Sequence, residues 1–230
     1  MSGALLGSGR EADVYAAGPG RVRRRYRDGR DVTDEAAVMA YLHGLGYPVP
    51  EVYEAAGADL VMERVDGPTL LRALAAGEVG PREAGRLLAD LHTRLHALPA
   101  RTSTDPADRV LHLDLHPDNV ILAARGPVVI DWVNTTEGPP DLDVALCALI
   151  MAEAASGSYV PPELAGPAAE LLREYLARVG GDPVAYLDRA VARRSANPFL
   201  TREEVARLDA AAALVRSSAP AAGSSAAPAG

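Results

Sequence analysis

Two kinds of hydrophobic periodicity divide the chain. Up to about residue 65, apolar and polar positions alternate over short runs; beyond it, apolar positions recur every three or four residues over longer ones. In the first part, Ala12-Asp-Val-Tyr-Ala-Ala17 and Arg21-Val-Arg-Arg-Arg-Tyr26 predict two strands joined by a turn at Gly18-Pro-Gly20. Alternation puts Val22 and Arg24 on one face of the second strand and Arg23 and Arg25 on the other. A helix is expected from Thr33, capped by Thr33, with Asp34 and Glu35 at the positive end of its dipole and Gly44 and Gly46 as stops. Glu51-Val-Tyr-Glu-Ala55 and Asp59-Leu-Val-Met-Glu-Arg-Val65 predict a second strand pair.

Asp66-Gly-Pro68 is a turn and a natural boundary. From Pro81, the positions Ala84, Leu87, Leu88, Leu91, Leu95 and Leu98 mark one face of an amphipathic helix. After a polar stretch from Arg101 to Asp108, Asn119–Ala123 and Pro127–Asp131 predict two short strands turning at Arg125-Gly126, with Asp131 ending the second. Asp141–Ala155 reads as a buried helix and Ala168–Val179 as another, ended by Gly180-Gly181. Thr201-Arg-Glu-Glu204 is a capping box opening a last helix to about Arg216. Residues 217–230 contain only Ser, Ala, Pro and Gly and predict a disordered tail. The expected organisation is therefore an α+β chain with a β-rich lobe over 1–65, a helical lobe over 66–216 and the tail.

Composition narrows the setting. The chain has 230 residues, 48% of them hydrophobic and 4% aromatic, so the core must be mostly Leu, Val and Ala. All basic side chains are arginine; there is no lysine. A net charge of −8 argues against nonspecific nucleic-acid binding. The single Cys147 excludes an internal disulfide and suits a reducing cytoplasm. The first residues lack a signal-peptide pattern, and the apolar run Val144–Ala152 is too short to cross a bilayer, so no membrane association is expected.

The chemistry is concentrated in His112-Leu-Asp-Leu-His-Pro-Asp-Asn119 and in Ile130-Asp131-Trp132. Phosphoryl transfer needs a base at the nucleophile, oxygen ligands for a metal and positive groups on the phosphates. Asp-x-x-x-x-Asn followed by a strand-borne Asp is the spacing of a kinase catalytic loop and its metal aspartate. His112, Asp114 and His116 also permit a zinc cluster, a weaker reading because no further Cys or His supports it and Asn119 is left without a role. His92 and His96, four apart on the Pro81 helix, read as ordinary helix residues.

His-x-Asp-Leu-His-Pro-Asp-Asn-Val-Ile-Leu and Val-Ile-Asp-Trp resemble the aminoglycoside phosphotransferase and choline kinase-like family. The likeness follows element order over roughly residues 5–215 and is strongest over 110–145. It implies a bilobal protein-kinase-like fold and transfer of the ATP γ-phosphate, with GTP as the other candidate nucleotide, to a hydroxyl of a small molecule in the presence of Mg²⁺. By this resemblance Asp114 is the catalytic aspartate, Asn119 and Asp131 are the metal ligands, and His112 is architectural. Asp143 matches a buried aspartate that braces the loop. Gly7-Ser8-Gly9 lies in the stretch similar to the nucleotide-covering loop, and Glu35 matches the helix glutamate that pairs with the strand lysine. Met62 would back the adenine, and the backbones of Glu63 and Val65 would bond its edge.

Two departures qualify the match. The strand lysine is absent, and alternation makes Arg24 its substitute, always charged but longer and forked. Leu113 stands where the family carries glycine before the catalytic aspartate, which is tolerable where the backbone angles are ordinary. The missing lysine keeps open a second class of function, a nucleotide-binding pseudokinase serving as a regulatory or scaffold module. The sequence does not specify the acceptor.

Overall fold

The computed structural model describes residues 3–9, 11–157, 161–198 and 200–220. Five antiparallel strands form the first sheet in the order β1-β2-β3-β5-β4: β1 (Leu5–Ser8), β2 (Ala12–Ala16), β3 (Arg21–Tyr26), β4 (Val52–Ala56) and β5 (Asp59–Glu63). The alternation expected of β3 holds: Val22, Arg24 and Tyr26 are buried, whereas Arg21 and Arg25 are exposed. Register places Arg24 opposite Val14 on β2 and Leu60 on β5, and Val22 opposite Met62. One sheet face thus carries apolar side chains around a single buried cation.

Helix α1 (Thr33–Gly44) packs below this sheet with Glu35, Ala36, Met39 and Leu42 buried. Thr33 does not cap it. The Thr33 N–H donates to Asp31 Oδ1 at 2.7 Å, so the aspartate two residues earlier, whose anionic carboxylate is a stronger acceptor than a hydroxyl, takes that role.

The chain then crosses to the helical half through residues 64–69. Gly67 (φ 150°) is obligatory there, because a Cβ would collide with the Leu122 carbonyl. Arg125 clamps the same crossing, donating from both terminal nitrogens to the two Glu63 carboxylate oxygens at 2.9 Å.

The helical half contains α2 (Leu70–Ala75), α3 (Pro81–His96), α4 (Pro140–Ala155), α5 (Pro162–Val179), α6 (Leu187–Ser195) and α7 (Arg202–Ser218). Helix α4 is buried on all sides from Leu142 to Glu153 and forms the axis around which α5, α6 and α7 pack. Gly85 lets α3 lie close on α5, where a Cβ would meet the Leu171 carbonyl at 2.6 Å. The capping box at Thr201 is formed as expected.

Several boundaries differ from the sequence reading. Helix α5 begins at Pro162 rather than Ala168, with Pro167 accommodated inside its first turns. Helix α7 continues through Ser217 and Ser218, and its end is closed by the Ala219 N–H donating to the Val215 carbonyl at 2.9 Å. The remainder of the expected tail, residues 221–230, lies outside the described residues. Among those described, no helix is long and apolar enough to cross a membrane.

Two small ribbons sit between the halves. β6 (Arg109–Leu111) pairs with β9 (Thr136–Gly138), and β7 (Val120–Ala123) pairs with β8 (Gly126–Val129). Strand β8 ends at Val129, so Asp131 lies two residues beyond it rather than at its end.

Candidate active site

The β6–β9 pairing is what assembles the site. It runs the chain entering the 112–119 loop beside the chain entering α4, which sets Asp143, in the first turn of α4, beneath the loop. Asp143 is fully buried and accepts from the His112 N–H at 2.8 Å and the Leu113 N–H at 2.7 Å. His96 Nε2 lies 3.1 Å from the same carboxylate. His92 Nε2, at 3.6 Å, makes an electrostatic contact rather than a hydrogen bond. Burial alone would push the Asp143 carboxyl up, but His92 and His96 hold it well below the usual carboxylate range. The two histidines are therefore part of the loop's foundation, not ordinary helix residues.

Only two non-glycine residues among those described have positive φ, Leu113 at 63° and Asp131 at 66°, and both belong to this site. The Leu113 backbone is thus not ordinary. A left-handed leucine costs about 1–2 kcal/mol, opposed here by its N–H bond to Asp143 and by burial of its side chain. The strain turns the chain sharply and leaves Asp114 facing the cleft.

His112 is locked as an architectural residue. Its Nδ1 accepts from the Asp114 N–H at 3.2 Å, its Nε2 lies 3.0 Å from the Ile130 carbonyl, and its ring packs edge-on against Trp132 at 4.5 Å. It thereby ties the loop to the segment carrying Asp131. It does not converge with Asp114 and His116 on a metal. Among the described residues, the one three-residue group with metal-ligand spacing is His92, His96 and Asp143.

A cleft of about 1480 Å³ lies between the sheet and the helices. Gly7, Gly9, Arg24, Met62, Glu63, Val65, Asp114 and Asp131 line it. Burial in this recess raises the Asp114 carboxyl to about 6, with His112 and Arg194 opposing the shift and Asp131 and Glu11 adding to it. Burial likewise lowers the His116 imidazole to about 4, so it is neutral at physiological pH.

Asn119 sits just under the cleft floor, its Nδ2 donating to the Asp114 carbonyl at 2.9 Å. With the amide nitrogen so engaged, its oxygen is the group available to a cation. Arg24 is ion-paired with buried Glu35, and its Nη1 reaches Asp131 Oδ1 at 3.2 Å. Burial would lower the Arg24 pKa, but Glu35, Tyr26 and Asp131 raise it, so the guanidinium stays charged. The Tyr26 hydroxyl donates to the other Glu35 oxygen at 3.0 Å.

Ser8 is not brought to the cleft. Its hydroxyl donates to Asp13 Oδ1 at 2.6 Å because Leu5–Ser8 is an edge strand rather than a loop. The Glu63 N–H is also committed, to the Glu51 carbonyl at 2.8 Å, which leaves the Glu63 carbonyl as the group to consider at the hinge.

The model of the phosphotransferase enzyme family matches residues 2–109 and 98–187 of this chain. No curated protein matches the sequence. Among solved structures, a candidate aminoglycoside phosphotransferase of Ralstonia eutropha superposes with a TM-score of 0.61 at 16% identity, over 95% of this chain and 93% of its own. An ADP-bound aminoglycoside phosphotransferase, APH(2'')-Ib, gives 0.56 at 14% identity, over 92% and 93%. A choline/ethanolamine kinase family protein of Mesorhizobium loti gives 0.56 at 16% identity, over 93% and 92%. At these identities the likeness is one of fold, the bilobal protein-kinase-like arrangement expected from the sequence.

Proposed function

This chain belongs to the phosphotransferase enzyme family, and from that premise we propose that it transfers the γ-phosphate of ATP to a hydroxyl of a small molecule. The observation that carries the proposal is the meeting of Asp114, Asp131 and Arg24 in one cleft, with Asn119 directly beneath. Asp114 orients the acceptor hydroxyl and takes its proton. Met62 and the Glu63 and Val65 backbones face the adenine. Arg24, fixed by Glu35, presents its guanidinium to the α- and β-phosphates. The Asp131 carboxylate and the Asn119 amide oxygen form a hard-oxygen donor set that fits Mg²⁺. The ion supplies neutralisation of phosphate charge when bound. The ADP held by one structural neighbour supports a nucleotide ligand.

Two results are expected. Asp131→Ala should raise the Kd for Mg-ATP by at least about tenfold, the loss of one charge-assisted ligand. Isothermal calorimetry measures it, and an unchanged Kd would remove Asp131 from the metal site. The second concerns pH. Asp114 accepts a proton only when ionised, so kcat/KM should stay level above its pKa of about 6 and fall about tenfold per pH unit below it. A profile flat from pH 7 to pH 5 would exclude Asp114 as the base.

The competing reading, a nucleotide-binding module without turnover, draws on Arg24 standing in place of lysine. A thermal-shift titration with ATP, with and without Mg²⁺, followed by an acceptor screen for ATP consumption, separates the two. Binding with turnover supports the enzyme, and binding with no acceptor consumed supports the module.

A further inference from the structure

The cleft extends past Asp114 into the helical half, and its chemistry changes there. Ile150 and Ala154 of α4 and Leu164 and Ala168 of α5 form an apolar wall. The cations on this side are Arg193 and Arg194 of α6. Arg194 Nε donates to Glu153 Oε2 at 2.9 Å, and Glu153 is fully buried, so that carboxylate is already matched by a cation. Glu204, the acid on α7 that borders this wall, accepts the Thr201 N–H at 2.7 Å as part of the capping box. The other carboxylates lining the cleft belong to the loop, the hinge and the sheet.

We infer that the acceptor is an alcohol whose body is largely apolar and either uncharged or anionic, and not a polycationic amino sugar. The inference rests on the phosphotransferase reading above and names its substrate class. An ammonium group carried onto this wall would lose its water against Ile150, Ala154, Leu164 and Ala168, and the acid bordering the wall, Glu204, is already engaged with the Thr201 N–H. It would also approach Arg193 with like charge. A carbon skeleton, by contrast, gains from burial on the same surface, and a carboxylate or phosphate on it would find Arg193 at the rim.

The test is an ATP-consumption screen of the full chain with Mg-ATP against three sets of alcohols. They are aminoglycosides, small cationic amino alcohols such as choline and ethanolamine, and uncharged or anionic alcohols on large carbon skeletons, namely terpenoid alcohols, sterol glycosides and hydroxylated fatty acids. The best acceptor of the third set should exceed the best of the other two by at least about tenfold in kcat/KM. For that acceptor, Ala154→Glu should raise KM by about tenfold, whereas Ala154→Val should stay within about twofold. A cationic acceptor that equals or exceeds the third set overturns the inference and leaves the phosphotransferase reading standing. So does a third set that is not phosphorylated by protein that binds Mg-ATP. Failure to bind Mg-ATP at all overturns the phosphotransferase reading itself, and this inference with it.

Discussion

Replacing Asp114 by alanine should lower turnover by about 10²–10⁴-fold, the range a general base supplies, while changing Mg-ATP affinity by less than about threefold. The same variant should be more stable than the native chain. Burial raises the Asp114 carboxyl from 3.8 to about 6, so its ionised form is disfavoured in the folded state relative to the unfolded one. For an acid whose folded pKa is raised, stability falls as pH climbs from the unfolded pKa to the folded one and stays lower above it. At neutral pH the difference is on the order of 3 kcal/mol. His116, the titratable side chain 3.9 Å away, is held neutral, so it gives the carboxylate no ion pair to lose. Steady-state kinetics and thermal unfolding at pH 7 check the pair of outcomes. Retained turnover would remove Asp114 from the reaction, and a lower Tm would show that its carboxylate is structurally required.

Asp143 should behave in the opposite way. Asp143→Ala would strand two buried N–H groups, those of His112 and Leu113, and leave His96 without its acceptor. Removing one partner from a buried charged network costs about 3–5 kcal/mol. At about 2–4 °C per kcal/mol for a chain of this size, Tm should drop by roughly 6–20 °C. Activity should fall too, because the left-handed turn at Leu113 loses the bond that opposes its strain. The carboxyl sits well below its ordinary range, so its contribution is complete above the unfolded carboxylate pKa and is lost as pH falls through the depressed folded value. Acid titration of native and Asp143→Ala proteins should therefore show the stability gap narrowing only on the acid side. A gap of under about 1 kcal/mol at pH 7, a typical value for a surface pair, would refute the bracing role.

Much of this was legible in the sequence where periodicity or spacing acts locally. Alternation located Arg24 on the buried face of β3, the capping box at Thr201 located α7, and the spacing from Asp114 to Asn119 located the loop. Four short elements were not legible: β1, β6, β9 and α2 carry no period that sets them apart from the neighbouring turns. Helix α6, at nine residues, also escaped. Pro167, just before the expected start at Ala168, lies inside α5 near its beginning. The foundation of the loop was half visible. Asp143 was found by resemblance, but His92 and His96 meet it across 51 and 47 residues of chain, and no local signal announces such a contact. The angle at Leu113 was likewise invisible, since leucine gives no hint of positive φ.

The guanidinium beside Glu35 and Asp131 has a consequence for how this protein would be detected. Reagents that profile nucleotide-binding enzymes by acylating a phosphate-proximal amine need a lysine there, and the chain contains none. Arg24 keeps its proton and offers no nucleophile to an acyl phosphate. The protein would therefore stay silent in an amine-directed proteomic survey even while turning over ATP.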